Sequence, residues 1–144
     1  MINFNMYKNI IFDFDGVVVD SNPLKEKCIS SSSRDYCDES SHKKFVEYFT
    51  KNNGTPREVK INCFFSKEVS MQILENYNNC LSKKLIYTNL TKGFQSFLSL
   101  LKFYQKRLYI LSGGTQSEVL EVLSSKKIEN EFVKIWGGPK TKEE

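Results

Sequence analysis

The sequence predicts an α/β fold in which a parallel sheet is interrupted by a long helical insertion. An apolar run at residues 10–12 ends at two acidic residues, and a second apolar run at 107–111 ends at a Ser-Gly-Gly tripeptide. Apolar runs of this length bounded by turn residues are typical of buried strands. The chain between them far exceeds the dozen or so residues that a single crossover needs, so the surplus is predicted to be an inserted unit.

Composition excludes several classes of protein. A chain of 144 residues is long enough for one domain, or for a small domain carrying an insertion. Its net charge is +4, and Lys and Arg are scattered among Asp and Glu without a basic block, so no nucleic-acid partner is expected. The start lacks a signal-peptide pattern, and no apolar run is long enough to cross a bilayer. We therefore expect a cytosolic protein without a membrane partner.

The cysteines and the single histidine do not suggest a metal centre. None of the four cysteines forms a Cys-x-x-Cys pair; they are Cys28, Cys37, Cys63 and Cys80. In a reducing compartment, free thiols are expected rather than disulfides. His42 is followed by two lysines and is predicted to be a surface residue of a helix.

The first strand leads into the most informative residues of the chain. Asp13 and Asp15 follow the apolar run directly, at the strand end where α/β sheets bind ligands. Two carboxylates so close repel each other, and a cation, a proton held on one acid, or both would offset the repulsion. Gly16 allows the chain to turn sharply away from the strand. The simpler interpretation is a strand that ends in a solvated acidic turn.

The insertion is predicted to be helical and polar throughout. Asn22-Pro23 is a helix-entry signal for a helix reaching Ser30, and the serines at 30–33 are predicted to form a loop. Further helices are expected at 42–51, after Thr55-Pro56, and at 66–83.

Beyond the insertion, the α/β pattern resumes. Apolar residues at 94–103 predict a helix that leads into the strand at 107–111. Thr115 and Glu118 have the spacing of a capping box, which predicts the start of the next helix. A last short strand is expected at 132–136, before Gly137-Gly138-Pro139.

The string Asp13-Phe14-Asp15-Gly16-Val17-Val18-Val19-Asp20-Ser21 resembles the first motif of the haloacid dehalogenase-like phosphohydrolases. The resemblance implies a Rossmann-like core formed by residues 1–20 and 89–144, with a helical cap at 21–88. It also implies that Asp13 is the nucleophile and that Asp15 is the general acid. In the family a magnesium ion is bound here, which assigns Mg²⁺ to Asp13 and to the backbone carbonyl of Asp15.

The resemblance extends to three further elements. Ser112 and Gly113 match the second motif, which binds phosphoryl oxygens, although a serine in a glycine turn is common in isolation. Lys142 matches the third-motif lysine, with Lys140 as the alternative. Arg57 resembles a cap arginine that reads the leaving-group end of the substrate, and a solvated arginine at a helix start is an equally open interpretation.

A fourth motif, a strand ending in aspartates that complete the magnesium site, is not found before Glu144. We therefore expect a C-terminally truncated member of the family, with weakened magnesium binding and an open, apolar edge along the first strand.

The resemblance implies a magnesium-dependent phosphatase that acts on a small phosphorylated metabolite through an aspartyl-phosphate. A phosphomutase would share the motifs, and a fragment that binds phosphate or a partner without turnover is the alternative outside catalysis. A response-regulator receiver domain is disfavoured, because it has adjacent acids and a short first crossover. The residues indicate no particular oligomeric state.

Overall fold

The computed structural model describes residues 6–138. Their order is strand, helical segment, then alternating helix and strand. The strands are β1 (Asn9–Phe12), β2 (Arg107–Thr115) and β3 (Lys134–Gly138); the helices are α1 (Asn22–Ser33), α2 (Glu39–Lys51), α3 (Arg57–Asn62), α4 (Lys67–Lys84), α5 (Phe94–Phe103) and α6 (Gln116–Ser125), with short 3₁₀ turns at Arg34–Tyr36, Leu85–Tyr87 and Glu129–Glu131.

The three strands form one parallel sheet in the order β1-β2-β3. Phe12 pairs with Ile110, and Ile110 pairs in turn with Ile135. The predicted α/β class is confirmed, and the fold is Rossmann-like. Because all the strands are parallel, their carboxyl ends meet at one edge of the sheet.

One face of the sheet is well covered and the other is not. Burial alternates along β2, where Leu108 and Ile110 are buried, and Phe12 packs on this same face. Ile11, on the opposite face, is 62% exposed. The prediction of a buried strand was therefore wrong for Ile11, whereas Phe12 is buried as expected. The apolar run reflects high β-propensity, and burial depends on which elements lie above each face.

The described chain divides into two compact units. One contains the chain up to Asp20 and from Ile86 onward, and the other is Ser21–Leu85. The second unit is helical, as predicted. Asp38 begins α2 by accepting a hydrogen bond from the Ser41 backbone N–H at 3.0 Å, and this bond lowers the pKa of the Asp38 carboxyl.

Two predictions about the helical unit were wrong. The serine run is the last turn of α1, because its hydroxyls bond back to helix carbonyls: Ser33 Oγ donates to the carbonyl of Ile29 at 2.8 Å. His42 is buried rather than at the surface, and its Nε2 donates to the Ser30 carbonyl at 2.9 Å. The burial of His42 depends on helix packing, which residue spacing alone does not reveal.

A disulfide joins Cys28 of α1 to Cys80 of α4, with the Cα atoms 5.7 Å apart. The expectation of four free thiols was therefore wrong for this pair. Cys37 and Cys63 are free. The two bonded cysteines lie 52 residues apart, so only helix packing brings them together.

The segments that flank the helical unit pair with each other. The backbone N–H of Asp20 donates to the Asn89 carbonyl at 2.9 Å, and the N–H of Thr91 donates to the Val18 carbonyl at 3.0 Å. Val19 and Leu90 thus form an antiparallel bridge. None of the helices within residues 6–138 combines the length and hydrophobicity of a membrane span.

Substituting Thr91 with valine is expected to stabilise the fold. The Thr91 hydroxyl is buried and has no hydrogen-bond partner among residues 6–138, whereas its backbone N–H is bonded. Thr91→Val removes the unpaired oxygen and preserves the shape, so we expect a gain of about 1 kcal/mol in the free energy of unfolding. Urea denaturation measures this gain in the free energy of unfolding. Thr50→Val is the control, because the Thr50 hydroxyl is paired: it donates to the Val46 carbonyl at 3.0 Å, so its removal relieves no unpaired oxygen. A Thr91→Val variant less stable than the parent would contradict the assignment.

Candidate active site

The acidic pair lies on a tight loop at the carboxyl end of β1. Asp13 is exposed and Asp15 is half-buried, on either side of the buried ring of Phe14. The Phe14 carbonyl accepts hydrogen bonds from the N–H groups of Val18 at 2.9 Å and Val19 at 3.2 Å. The loop therefore holds both carboxyl-bearing residues at the end of the sheet.

Gly16 gives this loop its shape. Its φ is +74°, in the left-handed region that other residues rarely adopt, and its N–H donates to the Val19 carbonyl at 2.7 Å. The predicted use of Gly16 for a sharp exit from the strand is confirmed.

Ser112 lies inside β2 and not in a turn after it. The strand continues to Thr115, but its register with β3 shifts between Leu111 and Thr115, so the Ser-Gly-Gly tripeptide occupies an irregular stretch. Ser112 is 2% exposed, and its Oγ accepts the Gly114 N–H at 3.0 Å. The serine hydroxyl thus retains its own proton for donation to a ligand.

The strand register brings Asp13 and Ser112 to the same edge of the sheet. Phe12 pairs with Ile110; Asp13 is one residue beyond this pair, and Ser112 is two residues beyond it on the neighbouring strand. Gly113 is exposed, and in the described part of the chain no atom lies within 4 Å of the position that a Cβ would take. A ligand can therefore approach its backbone closely.

Helix α6 begins directly after this stretch. Thr115 Oγ1 accepts the Glu118 N–H at 3.3 Å, and Glu118 Oε2 accepts the Thr115 N–H at 3.0 Å, which confirms the predicted capping box. Because these two N–H groups are already bonded, an anion at this helix start would rely on the other N–H groups and on the helix dipole.

Arg57, the predicted cap arginine, and the nearby Lys60 are both bonded within the helical unit. Arg57 begins α3; its guanidinium donates to Asn78 Oδ1 at 2.7 Å and lies over the Tyr77 ring, 5.4 Å from the centroid. Lys60 is buried, and its Nζ donates to the Phe49 carbonyl at 2.8 Å, near the end of α2. The sequence carries no local signal for Asn78 or Tyr77 as partners of Arg57.

Lys140 and Lys142 lie outside the described residues. A groove of about 690 Å³ runs beside α1 and α2 and is lined by residues such as Arg34, His42 and Thr50. None of the predicted site residues lines it.

The donors at the site suit a hard cation that keeps much of its water. Asp13 and Asp15 supply oxygen ligands, and Mg²⁺ is commonly bound through one or two carboxylates and a substrate phosphate. Within residues 6–138 no group of three His, Cys, Asp or Glu side chains is placed to bind a metal. Asp13 and Asp15 are therefore the oxygen donors that the described part of the site offers to such a cation.

An acidic pair beside a hydroxyl, at the carboxyl edge of a parallel sheet, is typical of α/β proteins that bind ligands beyond their strand ends. The chain belongs to the haloacid dehalogenase-like hydrolase family, whose model matches residues 10–144.

Solved structures share the fold at low sequence identity. A haloacid dehalogenase-like family hydrolase from Streptococcus pneumoniae is 22% identical, with a TM-score of 0.72 over 93% of this chain and 62% of its own. A predicted phosphoglycolate phosphatase from Haemophilus somnus is 19% identical, with a TM-score of 0.74 over 92% and 63%. CbbY from Rhodobacter sphaeroides, in complex with phosphate, is 14% identical, with a TM-score of 0.67 over 92% and 64%.

This chain thus spans less than two thirds of the length of each of these structures. No curated protein matches the sequence.

Proposed function

We propose that this protein is a magnesium-dependent phosphatase that hydrolyses a small phosphorylated metabolite. The observation that carries the proposal is the acidic loop at the end of β1, beside Ser112 on β2, in a chain of the haloacid dehalogenase-like hydrolase family. Phosphate bound to CbbY, a protein of the same fold, supports a phosphoryl ligand.

In the proposed reaction Asp13 and Asp15 have different roles. An oxygen of the Asp13 carboxylate attacks phosphorus, and the bond to the leaving alcohol breaks as Asp15 gives that oxygen a proton. Asp15 then takes a proton from water, and the water oxygen attacks phosphorus. The aspartyl-phosphate bond breaks, inorganic phosphate leaves, and the Asp13 carboxylate is restored. The buried Phe14 lies between the two residues in the chain and anchors the backbone that carries them.

The phosphoryl oxygens would be held by the Ser112 hydroxyl and the Gly113 backbone. Ser112 is suited to donate because its oxygen already accepts the Gly114 N–H, which orients the hydroxyl. Lys142 would add positive charge, with Lys140 as the alternative. The bound magnesium ion would be held by Asp13 and the Asp15 carbonyl, and when present it neutralises phosphoryl charge.

The helical unit Ser21–Leu85 is proposed to act as a cap that selects the substrate. Arg57 is its candidate contact, because a guanidinium matches a carboxylate or a second phosphate in planar geometry. The hydrogen bond to Asn78 and the position over the Tyr77 ring would set the direction of the Arg57 guanidinium. A phosphorylated sugar or a phosphoglycolate-like acid is the proposed substrate class, and the cytosol is the proposed compartment.

Magnesium removal tests the activity. We expect the protein to release phosphate from p-nitrophenyl phosphate in the presence of Mg²⁺, and to lose this activity when EDTA is added and regain it with excess Mg²⁺. Asp35→Asn, which removes a carboxylate from an exposed position in the helical unit, is the matched control and should behave like the parent. Hydrolysis that is indifferent to Mg²⁺ would contradict the proposal.

The second candidate is a protein that binds phosphate or a partner without turnover. Phosphate binding without product release in the same assay would support this candidate.

A further inference from the structure

We propose that the Cys28–Cys80 disulfide is a redox-controlled clasp of the helical unit, closed under oxidising conditions and open under reducing ones. The bond joins the first long helix of Ser21–Leu85, α1, to its last, α4. These are also the helices nearest to the two points where the chain enters and leaves the unit. The bond therefore ties together the two ends of the unit, and not a peripheral loop.

The two sulfurs differ in access. Cys28 is fully buried, whereas Cys80 is half-buried, and the Nζ of Lys84 lies 3.9 Å from its sulfur. A small reagent thus meets Cys80 first, and the lysine provides a counter-charge for a thiolate there. Cleavage at Cys80 would leave a thiolate on Cys28 in an apolar interior, which is unfavourable. The closed clasp is therefore protected until α1 and α4 separate.

The redox step balances with a small disulfide such as oxidised glutathione. The Cys80 thiolate attacks one sulfur of the reagent, forms a mixed disulfide and releases one glutathione thiolate. The Cys28 thiol loses its proton, attacks the Cys80 sulfur and displaces the second glutathione thiolate. The protein has then lost two electrons to the reagent, and two glutathione thiols have formed. Cys37 and Cys63 remain free in both states.

Closing the clasp should restrict the unfolded chain strongly, because the two cysteines are 52 residues apart. Chain-entropy estimates for a loop of this size correspond to about a thousandfold change in the unfolding equilibrium of the unit. Amides of α1 and α4 that exchange only when the unit opens should therefore exchange faster after reduction, by about tenfold to a thousandfold.

The test uses the full chain equilibrated with either oxidised or reduced glutathione. Alkylation followed by intact mass measurement should find two free thiols in the oxidised protein and four in the reduced one. Hydrogen exchange of peptides from α1 and α4 should accelerate on reduction, while peptides from β2 provide an internal reference. The Cys37→Ser/Cys63→Ser variant should retain this response.

The Cys80→Ser variant should exchange at the reduced rate under both conditions, because it cannot form the bond. Four alkylated thiols in the oxidised protein would overturn the proposal. So would a closed bond with exchange in α1 and α4 unchanged by reduction, or a redox response that persists in Cys80→Ser.

Discussion

Asp13→Asn is expected to lower phosphate release from p-nitrophenyl phosphate by about a thousandfold or more, because an amide cannot serve as the attacking carboxylate. Asp13 is exposed, so the substitution should change the free energy of unfolding by no more than about 0.5 kcal/mol. Stopped assays of phosphate release, combined with urea denaturation, separate these two effects. The loss should appear in kcat and should not be recovered at higher substrate concentration.

Calorimetric titration of the same variant with Mg²⁺ distinguishes the two candidate functions. For an enzyme, Mg²⁺ should bind the parent protein and Asp35→Asn, and binding should fall in Asp13→Asn because one of its ligands is lost. If neither the parent nor the variant binds Mg²⁺, the protein that binds without turnover is favoured. An Asp13→Asn variant with parental activity would refute the assigned nucleophile.

Phe12→Ala is expected to destabilise the unit that carries the site by about 3–5 kcal/mol. The Phe12 ring is 7% exposed and packs edge to face against three others, with centroids 5.4 Å from Phe94, 6.2 Å from Phe97 and 6.4 Å from Phe132. Truncation of Phe12, the residue directly before Asp13, leaves a cavity beneath β1. Urea denaturation followed by Trp136 fluorescence reports on this unit, because Trp136 lies in β3.

Phe103→Ala is the matched control for this cavity. Phe103 lies at the end of α5, is 79% exposed and, among the described rings, packs edge to face against Tyr104 only. Its truncation should cost no more than about 0.5 kcal/mol. Equal losses in the two variants would mean that Phe12 is not part of a packed core.

Local signals predicted most of the elements. The capping box at Thr115 and Glu118 involves residues three apart, so the start of α6 could be predicted before any packing was known. Gly16 likewise predicted its own left-handed turn. The acidic pair at the end of β1 followed from the strand pattern, since the strand delivers whatever residues come next in the chain.

Several of the predictions that failed depended on partners distant in sequence. The Cys28–Cys80 bond requires α1 and α4 to be packed together, and no spacing rule connects residues 52 apart. His42 is buried because the Ser30 carbonyl on another helix accepts its N–H. Ile11 is exposed although its neighbours in sequence are apolar, because burial of a strand residue is decided by the layer above it.

The sequence by itself determined the class of fold, the family resemblance, the order of the elements and the acidic pair, because each of these is encoded within a few consecutive residues. Only the tertiary structure decided that Asp13 and Ser112 share one edge of the sheet, through the pairing of Phe12 with Ile110. It also decided that Arg57 is held by Asn78 and Tyr77, and that a disulfide closes the helical unit. The physical reason is that strand register and helix packing are set by contacts between distant parts of the chain.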